Sequence, residues 1–290
     1  MSFKELNVGV TLADNIEIGK MQLLLSGSRR QGNYRTSSED VSNVNFSPSL
    51  GITYKPVENL SIYSGYSQSY SRGQYVSDAT KYDNAGTILD PVESKQSEIG
   101  IKYKNRGILT TLSYFELNEG NYIDEYSSGE KGLNLVQDGE NKYKGLEFTI
   151  NGKIAPKWTA TGGLLYLDGH REKTAKGASD GLFVNGVAKW SSVIGLVYSP
   201  NEKIGIIGRA VWNDKCYIDS SSASGKTEIP SYVAFDLGVN YKTKINTVPV
   251  TLSAMCYNAT NKDYWIGRGG STTFGLSMPR TFMLSAKFDF

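Results

Sequence analysis

The sequence predicts an all-β protein whose strands form an antiparallel meander that crosses a membrane. Three observations support this fold class. Apolar and polar residues alternate with a period of two from end to end, short and long connections alternate strictly, and aromatic residues recur at a membrane-like spacing. The longest apolar stretch, around MQLLL, is far shorter than the ~18–20 residues that a spanning helix needs. A membrane location would therefore depend on strands.

About thirteen strands are predicted in chain order. Their ranges are 3–14, 19–35, 43–56, 59–72, 92–105, 107–120, 138–153, 157–171, 184–199, 203–216, 227–243, 247–259 and 278–290. The clearest is YVAFDLGVNY, whose apolar face comprises Val233, Phe235, Leu237, Val239 and Tyr241. Most ranges exceed ten residues, which suits the ~9–11 residues of a tilted membrane strand. A soluble β-sandwich or propeller, with strands of about 5–6 residues, is the alternative.

The connections between these strands predict a barrel orientation. Short turns such as KPVEN, KNRG and SPNEK alternate with long polar loops such as SRGQYVSDATKYDNAGTILDPVESK. This places every long loop on one side, as in outer-membrane barrels with short periplasmic turns and long extracellular loops. Trp190 and Tyr198 lie eight residues apart, about 26 Å along a strand, which matches the ~25 Å apolar band between two aromatic girdles.

Composition excludes some classes of function. The net charge is only +2 and the basic residues are scattered, so no nucleic-acid partner is predicted. Cys216 and Cys256 fit neither a zinc site nor a redox pair; two free thiols are favoured, and a long-range disulfide stays open. His170, the only histidine, is predicted in a solvated loop, and GENKYKGLE and GRGGS are interpreted as turns. No enzyme activity is predicted, because catalytic or metal-binding groups would lack partners.

Several segments resemble one family. IPSYVAFDLGVNYK resembles the Pro-x-Tyr-x-x-x-Asp segment of TonB-dependent outer-membrane receptors of the ferric-siderophore type, and YNATNKDYW resembles their Asn-x-Thr-Asn-Lys-x-Tyr segment. MPRTFMLSAKFDF is similar to their last strand. Upstream, NFSPSLGITYKPVENLSIYSGYSQSY and DPVESKQSEIGIKYK follow the family's order and spacing. The resemblance covers nearly the whole chain.

The resemblance implies that residues 1–290 are the carboxy-terminal part of a receptor barrel of about 22 strands, without the plug domain that fills such a barrel. The implied function is that of an outer-membrane receptor and transporter, here a fragment, for TonB-dependent uptake of ferric siderophores. Iron would arrive within the siderophore, so no cofactor is expected. TonB would act only through a plug domain, and none is found in this sequence. Receptors for vitamin B12, haem or oligosaccharides, a passive outer-membrane channel, and a soluble carbohydrate-binding or adhesive β-protein are the alternatives.

Two sets of residues are candidates for function. Ferric siderophores are bulky and often anionic, which suits aromatic faces and arginine near the external mouth. The candidates are Tyr70, Tyr75, Tyr82, Tyr122, Tyr126, Trp265 and Arg268, and girdle or loop packing is the alternative for each. By resemblance, a signal for the barrel assembly machinery comprises Phe282, Leu284, Phe288 and Phe290. The expected partners are outer-membrane lipid and that machinery. Free strand edges at 3–14 and 278–290 predict aggregation of the isolated chain.

Overall fold

The computed structural model describes residues 4–35, 40–219 and 227–289. The long strands are β1 (Lys4–Ile18), β2 (Met21–Arg35), β3 (Asp40–Val57), β4 (Leu60–Tyr70), β7 (Glu93–Asn105), β8 (Ile108–Tyr126), β9 (Leu133–Ala155), β10 (Trp158–Lys173), β11 (Trp190–Tyr198), β12 (Ile204–Asn213), β15 (Tyr232–Ile245), β16 (Val248–Tyr257) and β19 (Thr281–Phe288). The short strands are β5 (Gln74–Tyr75), β6 (Ile88–Leu89), β13 (Cys216–Asp219), β14 (Thr227–Ile229), β17 (Trp265–Gly267) and β18 (Phe274–Leu276). One short 3₁₀ helix covers Ala175–Gly177.

The thirteen long strands form one sheet in the order β1-β2-β3-β4-β7-β8-β9-β10-β11-β12-β15-β16-β19. The six short strands pair as β5–β6, β13–β14 and β17–β18. Each of these hairpins is inserted in a long connection, so the meander continues past it without a crossover. The all-β fold and the thirteen-strand meander predicted from the sequence are confirmed.

Strand boundaries differ most between β8 and β9. The predicted loop from 121 to 137 is reduced to residues 127–132, because β8 ends at Tyr126 and β9 begins at Leu133. The interpretation of GENKYKGLE as a turn is wrong, since it lies inside β9. The prediction that His170 lies in a loop is also wrong, since the residue belongs to β10. GENKYKGLE and His170 both lie within the predicted strand ranges 138–153 and 157–171, so the strand prediction is the one that the structure confirms there.

The chain divides into two compact units. Unit 1 comprises Met1–Gly100, Tyr114–Lys144 and Asp168–Phe183. Unit 2 comprises Ile101–Ser113, Gly145–Leu167 and Val184–Phe290. Strands β7 to β10 contribute one part of their length to each unit.

Apolar side chains in both units lie on the exposed face of the sheet. In unit 2, Phe235, Leu237, Val239 and Tyr241 of β15 are exposed, whereas Asp236 between them is only 6% exposed. This distribution is the inverse of that in a soluble β-sandwich, whose strands turn apolar residues inward. It is the distribution expected when one face contacts lipid. No helix in the described residues is long and apolar enough to cross a membrane.

Two aromatic pairs mark the ends of the apolar face in unit 2. Trp158 pairs with Tyr198 and Tyr166 pairs with Trp190 across β10 and β11. Their ring centroids lie 4.8 Å and 4.9 Å apart, respectively. The two pairs are eight residues apart along each strand, as the spacing of Trp190 and Tyr198 predicts for two membrane interfaces.

The short turns are built for tight reversal. Between β7 and β8, Arg106 and Gly107 both have positive φ, at 47° and 85°. Two positive φ values in a two-residue loop define the type I′ geometry, whose twist matches that of the flanking strands. Long loops leave from the opposite ends of the strands, and all candidate ligand residues lie in or beside them.

Candidate ligand-binding loops

The connection between β5 and β6 in unit 1 is fixed to the β8–β9 hairpin by two side chains. The Asp83 carboxylate accepts hydrogen bonds from the Lys131 backbone N–H, at 2.8 Å, and from the Ser127 hydroxyl. Asn84 pairs with the backbone of Leu135 in both directions: Nδ2 donates to the carbonyl at 2.8 Å, and Oδ1 accepts from the N–H at 3.1 Å. The amide thus acts as one more link of a β-ladder and docks the connection on the hairpin.

The docked state favours an ionised Asp83. The hydrogen bonds from Ser127 and Lys131 hold the pKa of the Asp83 carboxyl below its usual value, because they stabilise its charged form. The carboxylate is exposed to solvent. Protonation of Asp83 at acidic pH should therefore weaken the docking of the β5–β6 connection on the β8–β9 hairpin.

Tyr82 belongs to a polar cluster on the same connection. Its hydroxyl donates to Asp124 Oδ1 at 2.7 Å, and Lys81 Nζ lies 2.7 Å from Asp124 Oδ2 and 2.8 Å from the Tyr82 oxygen. Burial raises the pKa of Tyr82, and the hydrogen bond with Asp124 raises the pKa of Lys81. The polar end of Tyr82 is thus engaged within the protein, and its ring is the part that remains for a ligand.

Tyr126 offers the most exposed ring among the candidates in unit 1. It is the last residue of β8, and 63% of its surface is accessible. Lys176, in the 3₁₀ helix, places its ammonium nitrogen 4.1 Å from the ring centroid, within cation–π range. An exposed aromatic ring beside a cation provides the two features that a bulky, anionic chelate requires.

Tyr75 and Tyr122 line one cavity of about 650 Å³ in unit 1. Tyr75 lies in the β5–β6 hairpin opposite Ile88. Tyr122 lies in β8, and its hydroxyl oxygen is 2.8 Å from the carbonyl oxygen of Asp90 and 3.2 Å from that of Arg72. Tyr122 therefore holds the backbone of the long connection between β4 and β7 at Arg72 and Asp90. The cavity brings two of the candidate residues, Tyr75 and Tyr122, together.

Tyr70 lies apart from these residues. Strand alternation puts it on the same face of β4 as the exposed apolar residues Ile62 and Tyr66. Its hydroxyl donates to Glu93 Oε1 at 2.8 Å. This position is at the outer rim of the lipid-facing surface.

Trp265 and Arg268 lie together on the β17–β18 hairpin of unit 2. Trp265 is exposed and contacts Phe274 edge to face, with ring centroids 5.1 Å apart. Arg268 follows β17, and its backbone packs closely against Gly186, where a side chain would collide with it. Among the residues that the structure describes, no carboxylate forms a defined ion pair with the exposed Arg268 guanidinium.

The two carboxy-terminal sequence motifs meet in unit 2. The rings of Tyr232 and Tyr264 stack with centroids 4.0 Å apart and planes 17° apart. Asp236 Oδ1 accepts a hydrogen bond from the Asn258 backbone N–H at 2.9 Å, and Asp236 Oδ2 accepts one from Arg209 at 3.2 Å. The Pro-x-Tyr-x-x-x-Asp and Asn-x-Thr-Asn-Lys-x-Tyr segments thus form one packed cluster at the base of a long loop.

Asn258 is the centre of this loop base. It is buried and has φ of 46°, a conformation that asparagine tolerates better than most residues. Its Nδ2 donates to the carbonyls of Lys262 and Met278 at 3.0 Å and 2.9 Å, and its Oδ1 accepts from the Lys262 N–H at 3.1 Å. Asn261 Oδ1 accepts from the Arg280 N–H at 2.9 Å. The two asparagines of the motif hold the ends of the loop together.

The remaining groups singled out from the sequence have structural contacts. His170 Nδ1 lies 2.9 Å from the Gly181 carbonyl oxygen, and its ring packs on Phe183 at 4.8 Å. Cys216 and Cys256 are both free thiols. Of the residues predicted as an assembly signal, Phe282, Leu284 and Phe288 lie exposed on β19, Phe290 lies outside the described residues, and their role stays a prediction.

Comparison with known proteins now identifies the family. Residues 2–259 match the sequence profile of the family described as TonB dependent receptor-like, beta-barrel. The chain belongs to the TonB-dependent receptor β-barrel family. Members of this family are outer-membrane proteins of Gram-negative bacteria, so the predicted location is confirmed. They are transport receptors, in agreement with the expectation that the chain is not an enzyme.

Individual relatives agree with this assignment. The chain is 26% identical to the ferrichrome receptor FcuA of Yersinia enterocolitica over 97% of its own length and 38% of that protein. It is 26% identical to the ferripyoverdine receptor of Pseudomonas aeruginosa over 84% of its own length and 30% of that protein. The chain thus spans well under half the length of these relatives.

A solved structure shows the same fold. The crystal structure of BauA, the ferric preacinetobactin receptor of Acinetobacter baumannii, is 27% identical and superposes with a TM-score of 0.81. The match covers 98% of this chain and 43% of BauA. The meander of this TonB-dependent receptor chain therefore has the same fold as a part of the BauA structure.

Proposed function

We propose that this chain supplies the carboxy-terminal part of the barrel of a receptor that binds and imports a ferric siderophore in a TonB-dependent manner. The observation that carries the proposal is the family match over residues 2–259. It is supported by the names of the relatives, since FcuA, the ferripyoverdine receptor and BauA are each named for a ferric chelate. The chain would contribute barrel wall and external loops.

The loops support recognition of a bulky, anionic ligand. Tyr126 beside Lys176 and the cavity between Tyr75 and Tyr122 bring aromatic rings and positive charge to the loop side of unit 1. Trp265 and Arg268 provide the same combination in unit 2. Aromatic faces pack against a chelate's organic shell, and the cations offset its charge. Iron would be carried by the chelate as cargo.

Binding to outer membranes that contain the chain tests recognition. Iron-55 complexes of ferrichrome and pyoverdine are the probes, and saturable binding of at least one of them is expected. Tyr126→Ala combined with Lys176→Gln should weaken that binding about tenfold, the effect of losing roughly 1.4 kcal/mol. Tyr103→Ala removes an exposed tyrosine of β7 that belongs to the apolar face, and it should leave binding unchanged.

Two outcomes would count against the proposal. Equal loss in Tyr103→Ala would show that the loop variants act through barrel stability. Steady conductance in a planar bilayer, unaffected by either complex and accompanied by no binding, would support a passive channel instead.

A further inference from the structure

An apolar groove of about 500 Å³ crosses the lipid-facing surface of unit 1. Its walls include Leu12, Phe46, Leu50 and Tyr66, all exposed, and its floor is at Gly27. A Cβ at Gly27 would lie 2.8 Å from the Phe46 ring, so the ring lies over this residue. The groove exists because Gly27 of β2 has no side chain between Leu12 of β1 and Pro48 of β3, the residues directly opposite it.

A positive charge lies just beyond the groove on the same face of the sheet, at Arg29, two residues after Gly27 on β2. Arg29 is directly opposite Val10 of β1 and Phe46 of β3. Directly paired residues of antiparallel strands share a face, and these two neighbours are 63% and 58% exposed. Within the described residues, no carboxylate forms a defined ion pair with Arg29. An exposed guanidinium thus lies among side chains that contact lipid.

The depth of Arg29 places it near one membrane interface. The strand begins at Met21, directly after the short turn, and Arg29 lies eight residues further along, about 26 Å at ~3.3 Å per residue. At a tilt of about 40° this is roughly 20 Å of the ~25 Å apolar band. Short turns lie on the periplasmic side. Arg29 therefore lies in the outer-leaflet half of the band, about 5 Å inside its edge, and its long side chain can extend to the headgroups.

The two ends of the groove carry opposite charges, which would orient a bound lipid. Asp14 lines the end nearest the short turn, and it is opposite Leu25 on β2, four residues from Arg29. An anionic headgroup is repelled by the carboxylate and attracted by the guanidinium. An acyl chain suits the apolar length between them.

We propose that the groove and Arg29 form a binding site for an outer-leaflet lipid whose headgroup carries a phosphate. The acyl chain lies in the groove against Leu12 and Phe46, and the phosphate accepts hydrogen bonds from the Arg29 guanidinium. A cation on a lipid-facing surface is costly near the membrane centre. A lipid phosphate at the interface provides the anion that the protein itself does not. This site is separate from the loops assigned to the siderophore.

Native mass spectrometry of the full chain in detergent tests the site with two matched lipids. Dioleoyl phosphatidic acid carries the phosphate, and dioleoylglycerol has the same chains without it. Phosphatidic acid should bind more tightly to the unmodified chain. Arg29→Gln should weaken that preference about tenfold, as expected for loss of one charge-assisted hydrogen-bonded pair.

Arg30→Gln is the matched control. Arg30 is opposite Gly9 and Asn45, so it projects from the other face of β2 and its loss should leave the lipid preference unchanged. Both variants should keep the heat-modifiable migration of a folded β-sheet. Unchanged phosphatidic acid binding in Arg29→Gln, or an equal loss in Arg30→Gln, would overturn the proposal. Displacement of the lipid by millimolar inorganic phosphate would also overturn it, by showing a site for a free anion.

Discussion

The outer loops of unit 1 and unit 2 are held by different kinds of contact. In unit 1, Asp83 and Asn84 dock the β5–β6 connection through groups that are exposed or half-buried. In unit 2, the base of the loop from 258 to 280 is held by buried Asn258 and Asp236. Buried hydrogen bonds cost more to break than exposed ones, because a released group is left without water. We therefore expect an adjustable loop in unit 1 and a rigid loop base in unit 2.

The largest effect is expected from Asn258→Ala in unit 2. The change removes three side-chain hydrogen bonds and puts alanine at φ of 46°. Together these should lower the free energy of unfolding by about 3–4 kcal/mol. Urea unfolding of the chain in detergent, followed by tryptophan fluorescence, measures the loss.

Asn258→Gly separates the two causes. Glycine adopts positive φ freely, so this variant should recover about 1 kcal/mol relative to alanine. A loss below ~1 kcal/mol in Asn258→Ala would show that the loop base is no more rigid than the loop of unit 1.

A smaller, local effect is expected from Asn84→Ala in unit 1. Loss of both hydrogen bonds to Leu135 should destabilise docking of the β5–β6 connection by about 1–2 kcal/mol and leave global unfolding nearly unchanged. Amide hydrogen exchange between residues 76 and 87 should then quicken about tenfold.

Asn84→Asp sharpens this measurement. The aspartate keeps the acceptor for the Leu135 N–H but loses the donor to the Leu135 carbonyl. Amide exchange between residues 76 and 87 should therefore be faster than in the unmodified chain and slower than in Asn84→Ala. A change in global stability as large as that of Asn258→Ala would remove the distinction between the units.

The smallest effect is expected from acidification. Since the pKa of Asp83 is lowered in the docked state, its contribution is present above the unfolded value of about 3.9 and is lost as pH falls through the lower, docked value. Exchange in the β5–β6 connection, corrected for intrinsic rates, should therefore quicken below about pH 4.

Asp83→Asn is the control for this titration. It removes the ionisable group, so the acid-dependent part of the exchange should disappear. Persistence of that dependence in the variant would assign it to another group.

Strand prediction worked where lipid imposes a pattern. Between Val233 and Tyr241 every second residue is apolar, as expected for a strand with one face toward lipid, so the period of two can be read from the sequence alone. No strand was predicted for residues 121–126 of β8 and 133–137 of β9, where polar and apolar residues are mixed. Glycines and charges around Gly139 and Gly145 then suggested turns, although their backbone continues as strand.

The candidate site was predicted only as a set of residue types. Aromatic residues in long loops pointed to Tyr82 and Tyr126, but nothing local indicates that Asp124 would engage Tyr82 or that Lys176 would lie over Tyr126. Those partners come from distant parts of the chain. Sequence position was not sufficient for Tyr70. It was chosen because it lies beside a long loop, but it is on the same face of β4 as the exposed apolar residues Ile62 and Tyr66.

The sequence by itself determined the all-β class and the thirteen-strand meander, because lipid on one face and water on the other enforce a local period of two. It also indicated the family, because segments such as IPSYVAFDLGVNYK and YNATNKDYW resemble it. Tertiary structure alone decided which loops dock together, how Asp236 meets Asn258, and how Gly27 and Arg29 form a groove with a charged end. These features depend on register between neighbouring strands and on contacts between residues far apart in the chain. Alternation within a single strand carries no information about either.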